Sequence, residues 1–263
     1  MTDDRYLRAV AFEREILRGS STSVEPFAFG TAYLHRDLPH RWTSNLLWVD
    51  LDARPPGAPA LVAEAERILG GAGLAHRKVV ASGGSGAVLA AQFARLGWTV
   101  HRAQVMTLER DPDRPGAVTV DRVGYEDARP LITTITRRFE VTGDEEALRQ
   151  LIHHKAVVEE RVGASFFVAR IDGAPAGMCE LYVGGDTAQI EDVNTLEEHR
   201  GRGVARSVVL SAAAAARDAG ARLVFLLADE DDWPKHLYGR LGFDPVGPEW
   251  EFLRTPSEES TQE

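Results

Sequence analysis

A short basic segment with two glycines, residues 200–205 (RGRGVA), stands where a predicted strand leads into a predicted long helix. Glycine has no side chain, so the backbone of this segment can approach a ligand closely. The first turn of a helix also presents unpaired N–H groups and a partial positive charge. The two arginines of the segment and Arg206 add full positive charges. An ordinary strand–loop–helix connection is the alternative, but the pattern favours an anion site suited to a pyrophosphate.

This segment resembles motif A of the GNAT-type N-acetyltransferase superfamily, whose signature is Q/R-x-x-G-x-G/A, and it matches every fixed position. The resemblance implies that the loop amides hold the pyrophosphate of coenzyme A. It also implies that the end of the preceding strand offers backbone groups to the pantetheine arm and the acetyl carbonyl. Acetyl-CoA is therefore the expected cosubstrate. The coenzyme-binding residues expected on this basis are Val193, Asn194, Thr195, Arg200, Gly201, Arg202, Gly203, Val204, Ala205 and Arg206.

A second stretch, residues 236–243 (HLYGRLGF), looks like the L-Y-x-x-x-G-F element of the same family. In the family the tyrosine lies near the sulfur of acetyl-CoA and serves as general acid, so the resemblance implies that role for Tyr238. A phenol with an ordinary pKa of about 10 keeps its proton at neutral pH and can share it with a nearby thiolate. A tyrosine that merely packs in a short helix is the alternative. The sequence departs from the family at Asp231, where many members carry an asparagine that contacts the pantetheine arm.

The general base must take a proton from the amine before it attacks a thioester. Glu191 and Asp192, on the strand before motif A, are the candidates. Strand alternation puts them on opposite faces, so at most one of them faces the acetyl group, and we prefer Glu191. A surface carboxylate and deprotonation through water chains are the alternatives. Cys179 lies on a predicted strand away from both motifs, so we expect direct transfer with no covalent enzyme intermediate.

Helix and strand patterns alternate along the chain and predict an α/β (α+β) fold. The helices are predicted at 3–18, 60–69, 87–96, 125–140, 145–160, 204–219 and 234–241, and the strands at 45–51, 78–81, 98–108, 166–171, 178–183, 189–195, 223–228 and 243–253. The elements of the C-terminal half follow the order found in GNAT proteins, which adds to the resemblance.

The two halves of the chain echo each other at an offset of about 145 residues, as ARLGW at 94–98 and GRLGF at 239–243 illustrate. A tandem duplication would look like this, and chance similarity in Ala-, Gly- and Leu-rich sequence is the alternative. We therefore predict two tandem GNAT-like domains, each a mixed, mostly antiparallel sheet flanked by helices. They span residues 1–110 and 118–255, and residues 110–117 (RDPDRPGA) form the best candidate for a linker.

The N-terminal domain is predicted to be degenerate. The offset places residues 53–58 opposite motif A, and Pro55 and Pro56 stand there where amides are needed. Proline has no N–H group and cannot donate to a phosphate. The same offset places Phe93, which has no acidic proton, opposite Tyr238. We expect this domain to be kept for packing or for shaping the acceptor site.

Composition and cysteine content indicate which partners and which compartment to expect. Hydrophobic residues at 44% and charged residues at 27% are typical of a globular protein with a sizeable core. The net charge of −10 disfavours a nucleic-acid partner. With no signal-peptide pattern, no apolar stretch long enough to span a membrane, and one cysteine, we expect a cytoplasmic protein without a membrane partner. No metal is expected, since His153 and His154 are adjacent on a helix and no Cys/His cluster has zinc spacing.

Several questions stay open at this stage. The acceptor is expected to be a small-molecule or peptide amine, and the chain a monomer or a homodimer. A longer acyl group is a further alternative, as is a non-catalytic acyl-CoA sensor or scaffold that uses the same fold. Residues 82–86 (SGGSG) are predicted to form a plain turn, with a phosphate site as the alternative. The acidic run at 229–232 is predicted to be a solvated loop, with a patch that attracts a cationic acceptor as the alternative. Trp233 either lines an acceptor pocket or packs against the protein.

Overall fold

The computed structural model describes residues 3–50, 56–139 and 144–255. They form two compact units that are interleaved along the chain. The first unit comprises residues 1–19 with Gln104–Gly247, and the second comprises Ser20–Ala103 with residues from Pro248 onward. The division differs from the predicted boundaries at both ends of the chain. The N-terminal helix belongs with the C-terminal elements, and the end of the last strand belongs with the N-terminal ones.

Helices and strands are numbered in chain order. The helices are α1 (Asp4–Ser20), α2 (Ala58–Ala65), α3 (Gly84–Arg95), α4 (Tyr125–Phe139), α5 (Glu145–Val162), α6 (Val204–Asp218) and α7 (Pro234–Arg240). The strands are β1 (Ser23–Phe27), β2 (Gly30–Leu34), β3 (Leu46–Val49), β4 (Arg77–Ser82), β5 (Thr99–Leu108), β6 (Thr119–Val123), β7 (Ser165–Ile171), β8 (Ala174–Gly184), β9 (Thr187–Thr195), β10 (Leu223–Asp229) and β11 (Phe243–Arg254). One-turn 3₁₀ helices lie at Trp42–Ser44 and Glu197–His199, and a π-helical turn at Glu66–Gly70 follows α2.

The first unit is a mixed, mostly antiparallel sheet flanked by helices. Its strand order is β6-β7-β8-β9-β10, continued by the end of β5 and the start of β11. Strands β6 to β9 pair antiparallel, whereas β10 is parallel to β9 and is reached through α6. A parallel pair needs such a crossover, which places the start of α6 at the end of β9.

Helix α6 packs on one face of this sheet through its small and branched residues. Val208, Ala212 and Ala216 are fully buried in a cluster with side chains of β7, β8 and β10. The helix begins close to β8 at Gly177, where a Cβ atom would lie 2.6 Å from Val204 Cγ1 and 2.4 Å from the Asn194 carbonyl oxygen. Only glycine fits there, so Gly177 lets the first turn of α6 approach the sheet.

Helices α1, α4 and α5 cover the opposite face. The Asp144 side chain accepts hydrogen bonds from the Glu146 and Ala147 amides and so caps the start of α5. Helix α1 packs on the sheet through Phe12, whose ring meets that of Phe225 edge-on at 6.0 Å. Arg8 of α1 also forms an ion pair of 2.8 Å with Asp186, which precedes β9.

The second unit has the strand order β1-β2-β3-β4, continued by the end of β11 and the start of β5. Strand β3 is parallel to β4, and α2 connects them, as α6 connects β9 and β10 in the first unit. Its core includes Phe93 of α3, which stacks on Phe252 with ring centroids 4.2 Å apart. Phe93 is fully buried, so its aromatic ring serves the packing of this unit.

Most predicted elements are present with ends shifted by a few residues, but three strands were missed. Strands β1, β2 and β6 are short, and β1 contains Pro26, which breaks a recognisable strand pattern. The glycine-rich segment 82–86 is only partly a turn, because α3 begins at Gly84. Pro55 lies outside the described residues. Within the described residues, no helix combines the length and the apolar character that crossing a lipid bilayer requires.

Candidate active site

A cavity of about 550 Å³ opens in the first unit at the ends of β9 and β10. Its lining joins the loop before α6, the end of β9 and the helix α7. The lining residues are Arg114, Phe139, Val193, Asn194, Thr195, His199, Arg200, Gly201, Gly203, Val204, Ala205, Arg206, Trp233, Pro234, Leu237, Tyr238 and Arg240. Of the residues predicted for coenzyme and catalysis, only Arg202 and Glu191 are not part of this lining.

The loop before α6 exposes its backbone amides to the cavity. Gly201 and Gly203 have φ angles of +74° and +82°, a left-handed conformation that other residues adopt at a cost. Gly203 is the N-cap of α6, and no side chain caps the amides of the first helical turn. Unpaired amides at a helix start, with the positive end of the helix dipole behind them, favour an anion.

Three arginines of the lining, Arg114, Arg200 and Arg240, form no ion pair among the described residues. Arg200 lies over the ring of Phe139 at 5.8 Å. The lining thus combines amides and cations, as a ligand with more than one phosphate requires. Phe139 was not singled out in the sequence, where it reads as an ordinary apolar position of α4.

Arg206 and Arg202 do not supply the free charge that was expected of them. The side chain of Arg206 is buried, and its Nη1 lies 2.5 Å from Asp113 Oδ1 and 3.0 Å from the Arg114 carbonyl oxygen. The hydrogen bond from Arg206 lowers the pKa of Asp113. Arg202 is exposed and lies 3.9 Å from Asp172.

The end of β9 forms the wall of the cavity opposite α7. Pairing between β9 and β10 covers only Thr187–Gln189 and Leu223–Phe225. Beyond these residues the two strands no longer pair with each other, although the end of β9 still pairs with β8, and residues 193–195 line the cavity at that point. The Thr195 hydroxyl is buried and has no hydrogen-bond partner within the described residues. An unpaired buried hydroxyl costs free energy, so this atom suits a polar ligand group.

A β-bulge precedes this wall, because the register of β8 and β9 shifts between Met178 and Glu180. At the shift Asp192 has a φ of +52°, which is unusual for a residue other than glycine. Its carboxylate accepts hydrogen bonds from Asn194 Nδ2 at 2.6 Å and from Lys155 Nζ at 2.7 Å. These contacts hold the bulge that turns the end of β9 toward the cavity.

Tyr238 lies on α7 with its side chain in the lining and only 7% of its surface exposed. Its ring meets Phe243 at 6.4 Å in an edge-to-face arrangement. Burial raises the pKa of Tyr238 well above its usual value, and the nearby negative charge of Glu191 raises it further. The hydroxyl therefore keeps its proton at neutral pH, as a general acid must.

Glu191 lies on β9 just before the bulge and is half-buried. Burial raises the pKa of Glu191 to about 7, with a further rise from the charges of Glu180 and Asp192. Gln189 Nε2 donates a hydrogen bond of 2.6 Å to its carboxylate, which opposes the rise. A carboxyl with a pKa near neutrality exchanges protons readily at physiological pH, which suits a general base.

A buried ionic network beside Glu191 was not predicted from the sequence. Lys155 of α5 forms ion pairs with Glu180 and Asp192, and the Tyr182 hydroxyl donates to Glu180 at 2.6 Å. Burial raises the pKa of Glu180, although the positive charge of Lys155 opposes this rise. The one sequence signal was the glutamate within the apolar run 178–183 (MCELYV).

Cys179 is fully buried on the α6 face of the sheet, where its Sγ lies 3.5 Å from the Val208 carbonyl oxygen. Burial raises the pKa of this thiol well above its usual value, which disfavours the reactive thiolate. Among the described residues, no group of three or more His, Cys, Asp or Glu side chains is arranged to hold a metal ion.

The corresponding position in the second unit is occupied by the protein itself. Helix α2 begins at Ala58, and the Ala58 amide donates a hydrogen bond of 2.9 Å to Gln92 Oε1 of α3. At the offset of 145 residues that pairs Phe93 with Tyr238, Ala58 corresponds to Gly203 and Gln92 to Leu237, so residues 55–60, rather than the predicted 53–58, correspond to motif A. A side chain of this unit thus satisfies an amide that the first unit leaves open.

Residues 129–243 match the sequence profile of the Acetyltransferase (GNAT) family. No curated protein matches the chain significantly in sequence. At sequence identities of 17% to 20%, likeness to solved structures shows the fold alone.

Three solved structures are similar over most of the chain. A conserved protein of unknown function from Staphylococcus epidermidis ATCC 12228 is 17% identical with a TM-score of 0.72, over 90% of this chain and 95% of that one. A GCN5-related N-acetyltransferase from Kribbella flavida is 19% identical with a TM-score of 0.67, over 99% and 98%. A tandem GNAT protein from the clavulanic acid biosynthesis pathway is 20% identical with a TM-score of 0.56, over 81% and 74%. The chain therefore has the α/β fold of GNAT proteins, and its residues 129–243 match the acetyltransferase (GNAT) family.

Proposed function

We propose that this protein transfers an acetyl group from acetyl-CoA to a primary amine by direct attack, without a covalent enzyme intermediate. The match of residues 129–243 to the acetyltransferase (GNAT) family supports acyl transfer. The use of acetyl-CoA and of Tyr238 as proton donor is supported by one cavity. Its lining includes both the loop before α6, with its open amides, and Tyr238. An anion site at one end and a proton donor at the other match a ligand with phosphates and a thioester.

The residues of the lining fit coenzyme A. The amides of residues 201–206 would hold the pyrophosphate, with Arg200 adding charge. The unpaired Thr195 hydroxyl and the edge of residues 193–195 that is not paired with β10 would meet the amides of the pantetheine arm. Bound acetyl-CoA supplies the acetyl group as a thioester, which an amine attacks more readily than an ordinary amide.

The proton transfers follow from the two pKa shifts. Glu191 takes the proton from the attacking amine, either directly or through water, since its carboxyl titrates near neutrality. A bond then forms between the amine nitrogen and the acetyl carbon, and the bond between that carbon and sulfur breaks. Tyr238 gives its proton to the departing sulfur. The acceptor is a small-molecule or peptide amine, and no metal takes part in this scheme.

The second unit takes no part in the chemistry in this proposal. The Ala58 amide is bonded to Gln92, and Phe93 replaces the proton donor. A strong acetyl-CoA site in this unit would contradict the assignment.

Calorimetric titration with acetyl-CoA tests the proposal, together with thiol release across a panel of amines. Gly203→Val should abolish binding, because a branched side chain at a φ of +82° distorts the loop amides. Gly173→Val is the matched control, since Gly173 has a φ of +81° in the turn between β7 and β8, outside the cavity lining. One site per chain that Gly203→Val removes and Gly173→Val keeps would support coenzyme binding at this loop.

The thiol assay separates catalysis from mere binding. Release of thiol with at least one amine, strongly reduced in Tyr238→Phe, supports the transferase. Binding without turnover on any amine would instead favour an acyl-CoA sensor or scaffold. No binding of acetyl-CoA by the unaltered protein would overturn the proposal.

A further inference from the structure

Residues 110–117, predicted as a linker, are docked onto the start of α6 within the first unit. The Asp113 amide donates a hydrogen bond of 2.9 Å to the Arg240 carbonyl oxygen at the end of α7. The Ala117 and Val118 amides donate to Ser207 Oγ at 2.9 and 3.2 Å. The segment is thus attached both to α6 and to α7, the two helices that border the cavity.

The side chain of Arg206 provides the strongest of these attachments. It is buried, and it bonds both the Asp113 carboxylate and the Arg114 carbonyl oxygen. A charge-assisted hydrogen bond from a rigid guanidinium fixes position more strictly than a neutral contact. The contact with Arg114 is through its main chain, so it leaves the Arg114 side chain available.

Close packing holds the segment along the helix. A Cβ atom on Gly116 would lie 2.9 Å from Ser207 Oγ and 3.2 Å from Ser207 Cα. The backbone of Gly116 therefore lies against α6 at a distance that a larger residue would prevent. This close packing shows that the segment is held against α6 and is not a freely moving linker.

The exposed side chain of Arg114 lines the cavity, and within the described residues it forms no ion pair, although its charge helps to lower the pKa of the neighbouring Asp113. The loop amides and Arg200 already provide for one diphosphate. The guanidinium of Arg114 lies in the same lining on a fixed backbone, so it can bind a further phosphate of the ligand.

We propose that Arg114 is a phosphate-binding residue of the coenzyme site, and that Asp113, Arg206 and Ser207 are the positioning residues that hold it there. The inference rests on the proposed function, since the ligand is a coenzyme with several phosphates. Coenzyme A offers two sources of this chemistry, the diphosphate and the phosphate on the 3′ position of the ribose. Arg114 recognises one of these phosphates.

Calorimetry with acetyl-CoA and with 3′-dephospho-acetyl-CoA tests the inference. Arg114→Ala should raise the Kd for acetyl-CoA about tenfold, since a hydrogen bond to a charged group is lost. Arg122→Ala is the matched control, because Arg122 bonds Ser165 Oγ at 2.8 Å and lies outside the cavity lining. The control should leave both Kd values unchanged.

The two ligands identify which phosphate Arg114 meets. A loss confined to acetyl-CoA supports the 3′-phosphate, and an equal loss with both ligands supports the diphosphate. Unchanged affinity for both ligands in Arg114→Ala, in a protein that binds acetyl-CoA, would overturn this inference and leave the proposed function standing. Failure of the unaltered protein to bind acetyl-CoA would overturn both.

Asp113→Asn tests the positioning role, because it removes the charge that pairs with Arg206 and leaves the buried arginine itself in place. It should raise KM for acetyl-CoA about as much as Arg114→Ala does and leave kcat unchanged. Combining the two substitutions should add little, because both remove the same contact. Additive losses, or a fall in kcat at an unchanged KM, would show that Asp113 does not act through Arg114.

Discussion

Glu180 and Glu191 stand directly opposite each other in the antiparallel ladder of β8 and β9. Directly paired residues share one face of a sheet, so the two carboxylates lie on the side that α5 covers. Lys155 of α5 pairs with Glu180 and not with Glu191. Burial and then the like charges of Glu180 and Asp192 raise the pKa of Glu191 to about 7, although the charge of Lys155 opposes the rise.

This arrangement predicts the pH dependence of catalysis. If Glu191 is the base, kcat/KM should rise with pH and level off above a pKa of about 7, because only the ionised carboxylate accepts the proton. Glu191→Gln should lose this limb and most of the activity. Glu180→Gln removes a like charge, so it should move the limb to lower pH.

Initial rates between pH 5 and 9 measure these shifts. Glu126→Gln, an exposed carboxylate on α4, serves as the control and should keep the profile of the unaltered protein. A profile that Glu191→Gln leaves unchanged would remove Glu191 from the mechanism and favour deprotonation by water.

The ion pair of Lys155 and Glu180 predicts a stability effect that depends on pH. Lys155→Met should lower the free energy of unfolding by about 3 kcal/mol at pH 8, since it leaves a buried carboxylate without its cation. The folded-state pKa of Glu180 is already raised, and it rises further in the variant. A carboxyl with a raised folded-state pKa loses stability as the pH rises through that pKa, so the deficit should be smaller at pH 5.

Urea unfolding at both pH values measures this effect. The double variant Lys155→Met/Glu180→Gln should recover part of the loss, because Glu180 no longer carries a buried charge that lacks its cation. An equal deficit for single and double variants at both pH values would mean that packing of the lysine stem, rather than its charge, is responsible.

The position of Tyr238 predicts a separation of turnover from binding. Tyr238→Phe keeps the ring that packs on Phe243 and removes only the hydroxyl. We expect kcat to fall about 100-fold or more, while the Kd for acetyl-CoA changes little. A variant with unchanged kcat would show that the departing sulfur takes its proton from another donor.

Burial of Cys179 predicts that its thiol is not a nucleophile. Cys179→Ala should keep kcat within about twofold, because a fully buried thiol with a raised pKa does not reach the acetyl group. Steady-state rates and mass spectrometry after incubation with acetyl-CoA check this. An acetylated protein that Cys179→Ala no longer yields would point to a covalent intermediate.

Local sequence patterns predicted which residues line the cavity better than they predicted the side-chain contacts around it. The loop at 200–205 and Tyr238 could be singled out because glycine spacing and a short motif are local features, and the structure places Tyr238 and most of that loop in one cavity lining. Arg206 could not be told from Arg200 in the sequence, since only the fold brings Asp113 close enough to pair with it. Glu191 lies on β9 as predicted. The choice between Glu191 and Asp192 assumed that side chains alternate regularly along the strand, and the bulge at Asp192 breaks that alternation.

The interleaving of the two units along the chain also could not be predicted from the sequence. Residues 104–108 and 248–254 occupy corresponding positions of the repeat, yet each belongs to the unit formed mainly by the other half of the chain. A repeat reveals which segments are alike, but it does not reveal which sheet each strand joins. In the same way, residues 110–117 were read as a linker because hydrogen bonds to a distant serine leave no pattern in the sequence.

The hydrogen bond from the Ala58 amide to Gln92 predicts one coenzyme per chain. Gln92→Ala should lower the free energy of unfolding by about 1 kcal/mol, as loss of a partner at a helix start does. Titration of this variant with acetyl-CoA should still give a single site, because Phe93 and its stacked partner Phe252 keep the second unit packed. Gln104→Ala, in the first unit and outside its cavity lining, is the control for the substitution. A second site in Gln92→Ala alone would mean that this one side chain closes a binding site that the second unit otherwise retains, and two sites in the unaltered protein would show that the unit was never closed.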